Sequence, residues 1–197
     1  VVEQTGRLGR FLGRLFSGVF ILPFAAPAVV AAIAWKLLLH PQFGPVDAAL
    51  GIDVAWFTDH ALLAVIVTDA WKMVPFVLFL LFAAIMSVEP TQYEAARIDG
   101  AGRWQQFRFI TLPSIAPVVA VTVAFRAVDA FTKIFDTVVA TTGGGPGYDT
   151  QVFPLLIWKV AFEQLNFGQA AALAVVALAI SLVFGGPLLV RRRRAAA

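Results

Sequence analysis

The sequence predicts an all-α fold: a polytopic bundle of membrane-spanning helices forming one domain over 1–197. Three observations carry this. Hydrophobic residues make up 60% of the chain and charged residues 14%, against about half and about a quarter in soluble domains. Four segments, 16–39, 61–86, 115–140 and 168–190, are apolar over the length of roughly 20 residues that a helix needs to cross a hydrocarbon core of about 30 Å. None alternates apolar and polar residues as a barrel strand does, and backbone amides in lipid must be satisfied within a helix or a closed barrel.

In chain order, the first span holds Pro23 and Pro27 and the second holds Pro75. Proline lacks an amide hydrogen and crowds the preceding turn, so bent or interrupted helices are expected there. Lys36, beside Trp35 near the end of the first span, reads as a snorkelling anchor. The connection 40–60 carries Asp47, Asp53 and Asp59 and no lysine or arginine. Its two histidines, His40 and His60, lack the spacing and the third ligand of a metal site. The third connection, 141–167, has Lys159 as its sole basic residue. It opens with a glycine-rich turn at 141–150, and its apolar stretch 153–162 is too short to span, as a re-entrant or interfacial helix would be.

Arg7, Arg10 and Arg14 precede the first span, Arg97, Arg103 and Arg108 lie between the second and third, and Arg191–Arg194 follow the fourth. Lysine and arginine are retained on the cytoplasmic side. The distribution therefore predicts a multi-pass protein of the cytoplasmic membrane with both ends and the 87–114 connection in the cytoplasm.

That connection is polar and broken by glycine. Pro90 suits a first helical turn, and Thr91 with Glu94 has capping-box spacing. Gly100 supplies a left-handed helix stop. A second short helix from about Arg103 carries Trp104, Phe107 and Ile110, and Pro113 is expected to break it at the membrane. Tyr93, Ala96 and Gly100 share a face that is small apart from one aromatic. A helix this short needs packing to be stable in water. On physical grounds, docking onto another protein and folding back onto its own bundle are equally supported.

In the third span, Arg126, Asp129, Lys133 and Asp136 follow at steps of three, four and three, which puts them on one helical face. Charges within a membrane are costly, so this face should meet protein or a water-filled path. It reads either as the lining of a path for a hydrophilic solute or as a structural ladder of ion pairs. Asp69, Trp71 and Lys72 form a second polar group, where Trp71 could stack on a sugar ring or fill a gap in the bundle.

The formal charge of +3 does not point to nucleic acid, because the basic residues flank apolar spans and form no water-facing stripe. Without cysteine there is no disulfide, thiolate metal site or cysteine nucleophile. No nucleophile, base and orienting group come together in the pattern, so an enzyme is not expected. The chain begins at Val1 with no signal-peptide pattern and is expected to be a fragment.

Glu94, Ala95, Ala96 and Gly100, followed by Ile110, Leu112 and Pro113, resemble the signature of the inner-membrane permease subunits of binding-protein-dependent ABC importers. The wider stretches YEAARIDGA, WQQFRFITLP and TTGGGPG resemble the carbohydrate branch of that family, and the likeness covers nearly the whole chain. The resemblance implies a permease-type bundle matching the last four of six spans, with two spans missing ahead of it. Glu94 to Gly100 would be a coupling helix seated on an ATPase subunit, with Glu94 and Asp99 as polar anchors, Ala95 and Ala96 as the close-packing face and Gly100 as the turn. It further implies an ATPase dimer holding the ATP and Mg, a second permease subunit in a heterodimer, an extracytoplasmic solute-binding protein and a sugar-like substrate. No cofactor is expected on this chain, which has no GxxxxGK[ST] phosphate loop. The rival reading is a secondary transporter or channel that uses the charged face of the third span as an ion relay.

Overall fold

The computed structural model describes residues 23–195, with side chains described through residue 183. It is helical, and no strand occurs among the described residues. In chain order the helices are α1 (Ala28–Leu38), α2 (Pro45–Leu50), α3 (Trp56–Asp59), α4 (Ala61–Met86), α5 (Pro90–Ile98), α6 (Arg103–Gln106), α7 (Leu112–Lys133), α8 (Phe135–Thr141), α9 (Phe153–Trp158) and α10 (Phe167–Ala195). Two π-helical turns, Phe107–Thr111 and Lys159–Glu163, join α6 to α7 and extend α9.

Among the described residues, two helical runs are long and apolar enough to cross a membrane by themselves: Ala61–Met86 and Arg103–Lys133. Only 17% of the apolar window of each is buried within the chain. The core helix of a soluble protein would be mostly covered, so these surfaces are built to face lipid or other subunits. The second expected span, 61–86, coincides with α4, which runs through Pro75 unbroken.

The other spans differ in detail. The predicted 16–39 segment starts outside the described residues. Within them it is interrupted at Ala26 and Pro27, leaving an 11-residue helix; Pro27 biases the residue before it away from helical geometry and cannot donate to the turn behind it. The predicted 115–140 helix is displaced at both ends. It continues backward without a break to Arg103 and stops at Lys133, so α8 is a separate element after Ile134. The fourth begins at Phe167, where Asn166 accepts from the Gln169 amide at 3.1 Å, and continues to Ala195.

The contacts divide the chain into two compact units, 1–75 with 133–159 and 76–132 with 160–197. In the first, Val65, Val138 and Leu155 form a core with Ile134, Phe135 and Val152 packed on it, and α1 packs along α8. The 40–60 connection is held by a buried carboxylate: Trp56 Nε1 donates to Asp47 Oδ1 at 2.6 Å, and the Val54 amide donates to Asp47 Oδ2 at 3.1 Å. The 141–150 turn has positive φ at Gly143, Gly144 and Gly147, and Thr150 Oγ1 donates to the Gly145 carbonyl at 2.7 Å. In the second unit, Ala84, Val88 and Ile115 are buried, with Tyr93, Ile110, Val118 and Val119 against them.

Candidate functional site

The insert is built on the second of these cores. Glu89 is extended at φ −62° and ψ 128°, Pro90 occupies the first helical position, and α5 follows. The expected capping box is not made. Because Pro90 already starts the helix, Thr91 lies inside the first turn, and its hydroxyl reaches back to Glu89 Oε2 at 3.5 Å. The far end matches the expectation. Gly100 has φ +78°, its amide donates to the Arg97 carbonyl at 3.1 Å, and the Ala101 amide donates to the Ala96 carbonyl at 2.8 Å. These two bonds are the paired closure of a left-handed helix stop, which only glycine enters without strain.

A second lock follows. The Gly102 amide donates to Gln105 Oε1 and Gln106 Nε2 donates to the Ala101 carbonyl, both at 2.8 Å. The chain then turns into α6 and does not break at Pro113. The Leu112 amide bonds the Phe107 carbonyl, five residues back. This wider π turn ends immediately before the proline, whose missing amide and bulky ring disfavour a regular α turn at that position.

The insert folds back onto its own helices through one face and leaves the other exposed. Tyr93 and Ala96 are half-buried, and the Tyr93 hydroxyl lies 2.8 Å from Thr111 Oγ1, so α5 is tied to the base of the long helix that follows. Glu94, Ala95, Ile98, Asp99 and Gly100 are exposed, with Ile98 at 87%. The small face attributed to Ala95 and Ala96 is therefore divided, Ala96 pointing inward and Ala95 outward, because Tyr93 and Ala96 at i and i+3 set the buried stripe. Farther along, Ile110 is half-buried in the core, while Leu112 and Pro113 are exposed.

The predicted charged face is only partly continuous. Arg126 and Asp129 form an ion pair on α7, and Asp129 is 7% exposed. Lys133 is the last residue of α7, and Asp136 lies on α8 beyond the interruption at Ile134, so the four do not share one helix. Asp69, Trp71 and Lys72 are on α4, where Trp71 meets the edge of Trp35 at a centroid distance of 5.8 Å. The indole nitrogen of Trp35 is buried without a hydrogen-bond partner.

A family described as the inner membrane component of binding-protein-dependent transport systems matches residues 5–195. The chain belongs to this family. It is similar to the trehalose/maltose transport system permease protein MalF of Thermococcus litoralis, at 33% identity over 182 residues, covering 89% of this chain and 61% of the relative. Among solved structures it is similar to a bacterial ABC transporter involved in import of the acidic polysaccharide alginate. That match has a TM-score of 0.80 and 27% identity, covering 92% of this chain and 65% of the other. The same type of transporter, in complex with its alginate pentasaccharide-bound periplasmic protein, matches with a TM-score of 0.81 at 26% identity. The chain thus spans about three-fifths of the length of the curated relative it matches.

For a permease of this family, the residues that sequence reasoning passed over are the struts of the insert: Thr111, Gln105 and Gln106. Gln105, three residues after the glycine that starts α6, carries a local signal of capping-box type. Thr111 carries none, since its partner lies 18 residues away.

Proposed function

We propose that this chain is the membrane-spanning part of a permease subunit in an ATP-driven importer of a sugar or related solute. In this reading a separate ATPase docks on the exposed face of α5. The chain performs no covalent chemistry and needs no cofactor of its own. The observation that carries the reading is the build of the insert. α5 is closed by the Gly100 stop, presents Glu94, Ala95 and Ile98 outward, and is fastened through Tyr93 and Thr111 to the helix that continues to the Arg126–Asp129 pair. A force applied to α5 thereby reaches the membrane helix without crossing a flexible linker.

The proposed cycle follows from linkage. ATP binding in a pair of ATPase subunits moves two such coupling helices, one from this chain and one from a companion permease. The ATPase shifts the permease between inward- and outward-open states only by the difference in its binding energy to the two. The insert and both chain ends lie in the cytoplasm, and the 40–60 and 141–167 connections face an extracytoplasmic solute-binding protein. Asp69, Trp71 and Lys72 on α4, with Arg126, Asp129, Lys133 and Asp136, are the candidate polar contacts for solute in the path. Family membership and the sugar-handling relatives support this over an ion relay.

The test is co-purification with the ATPase of the same system. Replacing Glu94 and Ala95, both exposed, together by bulky residues should abolish association while membrane insertion persists. Wild-type co-purification would overturn the docking role. Solute uptake that survives ATP depletion and collapses with the proton gradient would favour the secondary transporter.

A further inference from the structure

We propose that the start of the Arg103–Lys133 helix is a binding site for anionic phospholipid, with Arg103 and Arg108 contacting headgroup phosphates and Trp104 and Phe109 anchoring in the interface. This rests on the placement of the insert in the cytoplasm given above.

The first argument is depth. Arg103–Lys133 is one helical run of 31 residues. No charged residue lies between Arg108 and Arg126, an interval of 126 − 108 = 18 residues. At about 1.5 Å per residue that is about 27 Å, close to the roughly 30 Å of a hydrocarbon core. When the apolar interval fills the core, Arg108 is held at headgroup level on one side, and Arg103 lies more than a turn farther toward water.

The second argument is the distribution of side chains. Trp104 and Phe109 are each 69% exposed, and Phe107, stacked on Trp104 at 5.6 Å, is also exposed. Arg103, Gln105 and Arg108 are exposed as well. From Arg103 to Phe109 every residue but Gln106 is exposed, so this set surrounds most of the helix, and the sides left for the chain's own core are those of Gln106, Ile110 and Thr111. A protein groove would cover one stripe, whereas a lipid layer meets a girdle of this kind. The third is charge. No aspartate or glutamate occurs from Gly100 to Phe125, and no ion pair to Arg103 or Arg108 occurs among the described residues. Arginine beside tryptophan at the end of an apolar helix matches the chemistry of an anionic cytoplasmic leaflet.

The experiment uses the intact transporter, purified and examined by native mass spectrometry after exchange into phosphatidylcholine with or without phosphatidylglycerol. Arg103→Gln and Arg108→Gln should each reduce phosphatidylglycerol retention about fivefold, the lysine variants should retain most of it, and raised salt should weaken retention by the unaltered protein. The salt series also serves if the glutamine variants do not assemble. Unchanged retention in the double variant, or equal displacement by inorganic phosphate, would overturn the proposal. So would loss of ATPase co-purification with lipid retention intact, which would assign the surface to the ATPase. The cytoplasmic placement is tested separately by Gln92→Cys, at an exposed position of α5, in this cysteine-free sequence. Labelling by an impermeant maleimide only in inverted vesicles supports it, and labelling in intact cells refutes it.

Discussion

Tyr93 is the test of whether α5 moves with the membrane helix. Tyr93→Phe removes one neutral hydrogen bond, to Thr111 Oγ1 at 2.8 Å, worth about 1 kcal/mol net. The value should fall in the lower half of the usual range. Thr111 is buried at 8% exposure, but a threonine in a helix can turn to its own backbone, as Thr122 does toward the Val118 carbonyl at 2.8 Å. Tyr93→Ala also removes a ring packed against Ala84, Val88 and Ile115. Truncating a fully buried aromatic costs about 3–5 kcal/mol, and a half-buried ring should lose roughly half of that, about 2 kcal/mol. The expected result is a graded loosening of α5 from the bundle: severalfold or less for phenylalanine, well over tenfold for alanine. Hydrogen exchange over 93–101 reads the loosening. The number of solute molecules moved per ATP, in the reconstituted transporter, reads its consequence. Alanine should raise exchange and uncouple hydrolysis from transport while the ATPase stays bound. Wild-type exchange and coupling in Tyr93→Ala would refute the strut.

Gly100→Ala should destabilise the helix stop by about 1–2 kcal/mol from backbone strain alone, since φ is +78° and a Cβ there meets nothing within 4 Å; ATPase affinity in a pull-down series checks it. Asp129→Asn should impair transport more than assembly, because it removes the buried carboxylate that pairs with Arg126; equal loss of assembled complex on size exclusion would make the pair structural. Asp47→Ala should loosen the 40–60 connection by about 2 kcal/mol, as two donors lose one acceptor. A red-shifted Trp56 emission and faster proteolysis between Asp47 and Trp56 would report it.

What could be read from sequence divides by the range of the interaction. The Gly100 stop and the two-helix build of the insert were legible because each depends on residues within six positions. The first cap was misread for a local reason: Pro90 takes the starting position, leaving Thr91 one place too late. The Pro113 break was misread because proline was weighed without the π turn that accommodates it. No nearby proline or glycine marks the interruption at Ile134; the packing of Ile134, Phe135 and Val138 with Val65 and Leu155 accompanies it, and that is tertiary information. The same limit hid the Tyr93–Thr111 pair. For the charged face, spacing placed Arg126 and Asp129 together, and the expectation of one shared helical face fails past Lys133, where the helix stops.

The π turn at Phe107–Thr111 also sets the phase of the insert. It holds one residue more than an α turn, so deleting a single residue there could restore regular winding and leave the helix whole. The wide turn carries five residues through about the rotation that four cover in an α-helix, so such a deletion should leave everything ahead of it in nearly the same direction. Rewinding all five residues as α, with none removed, would instead swing α5 by about 100° around the axis and carry Tyr93 away from Thr111. The turn is thus a register device: it takes up one surplus residue in the stalk so that the direction of α5 does not depend on it.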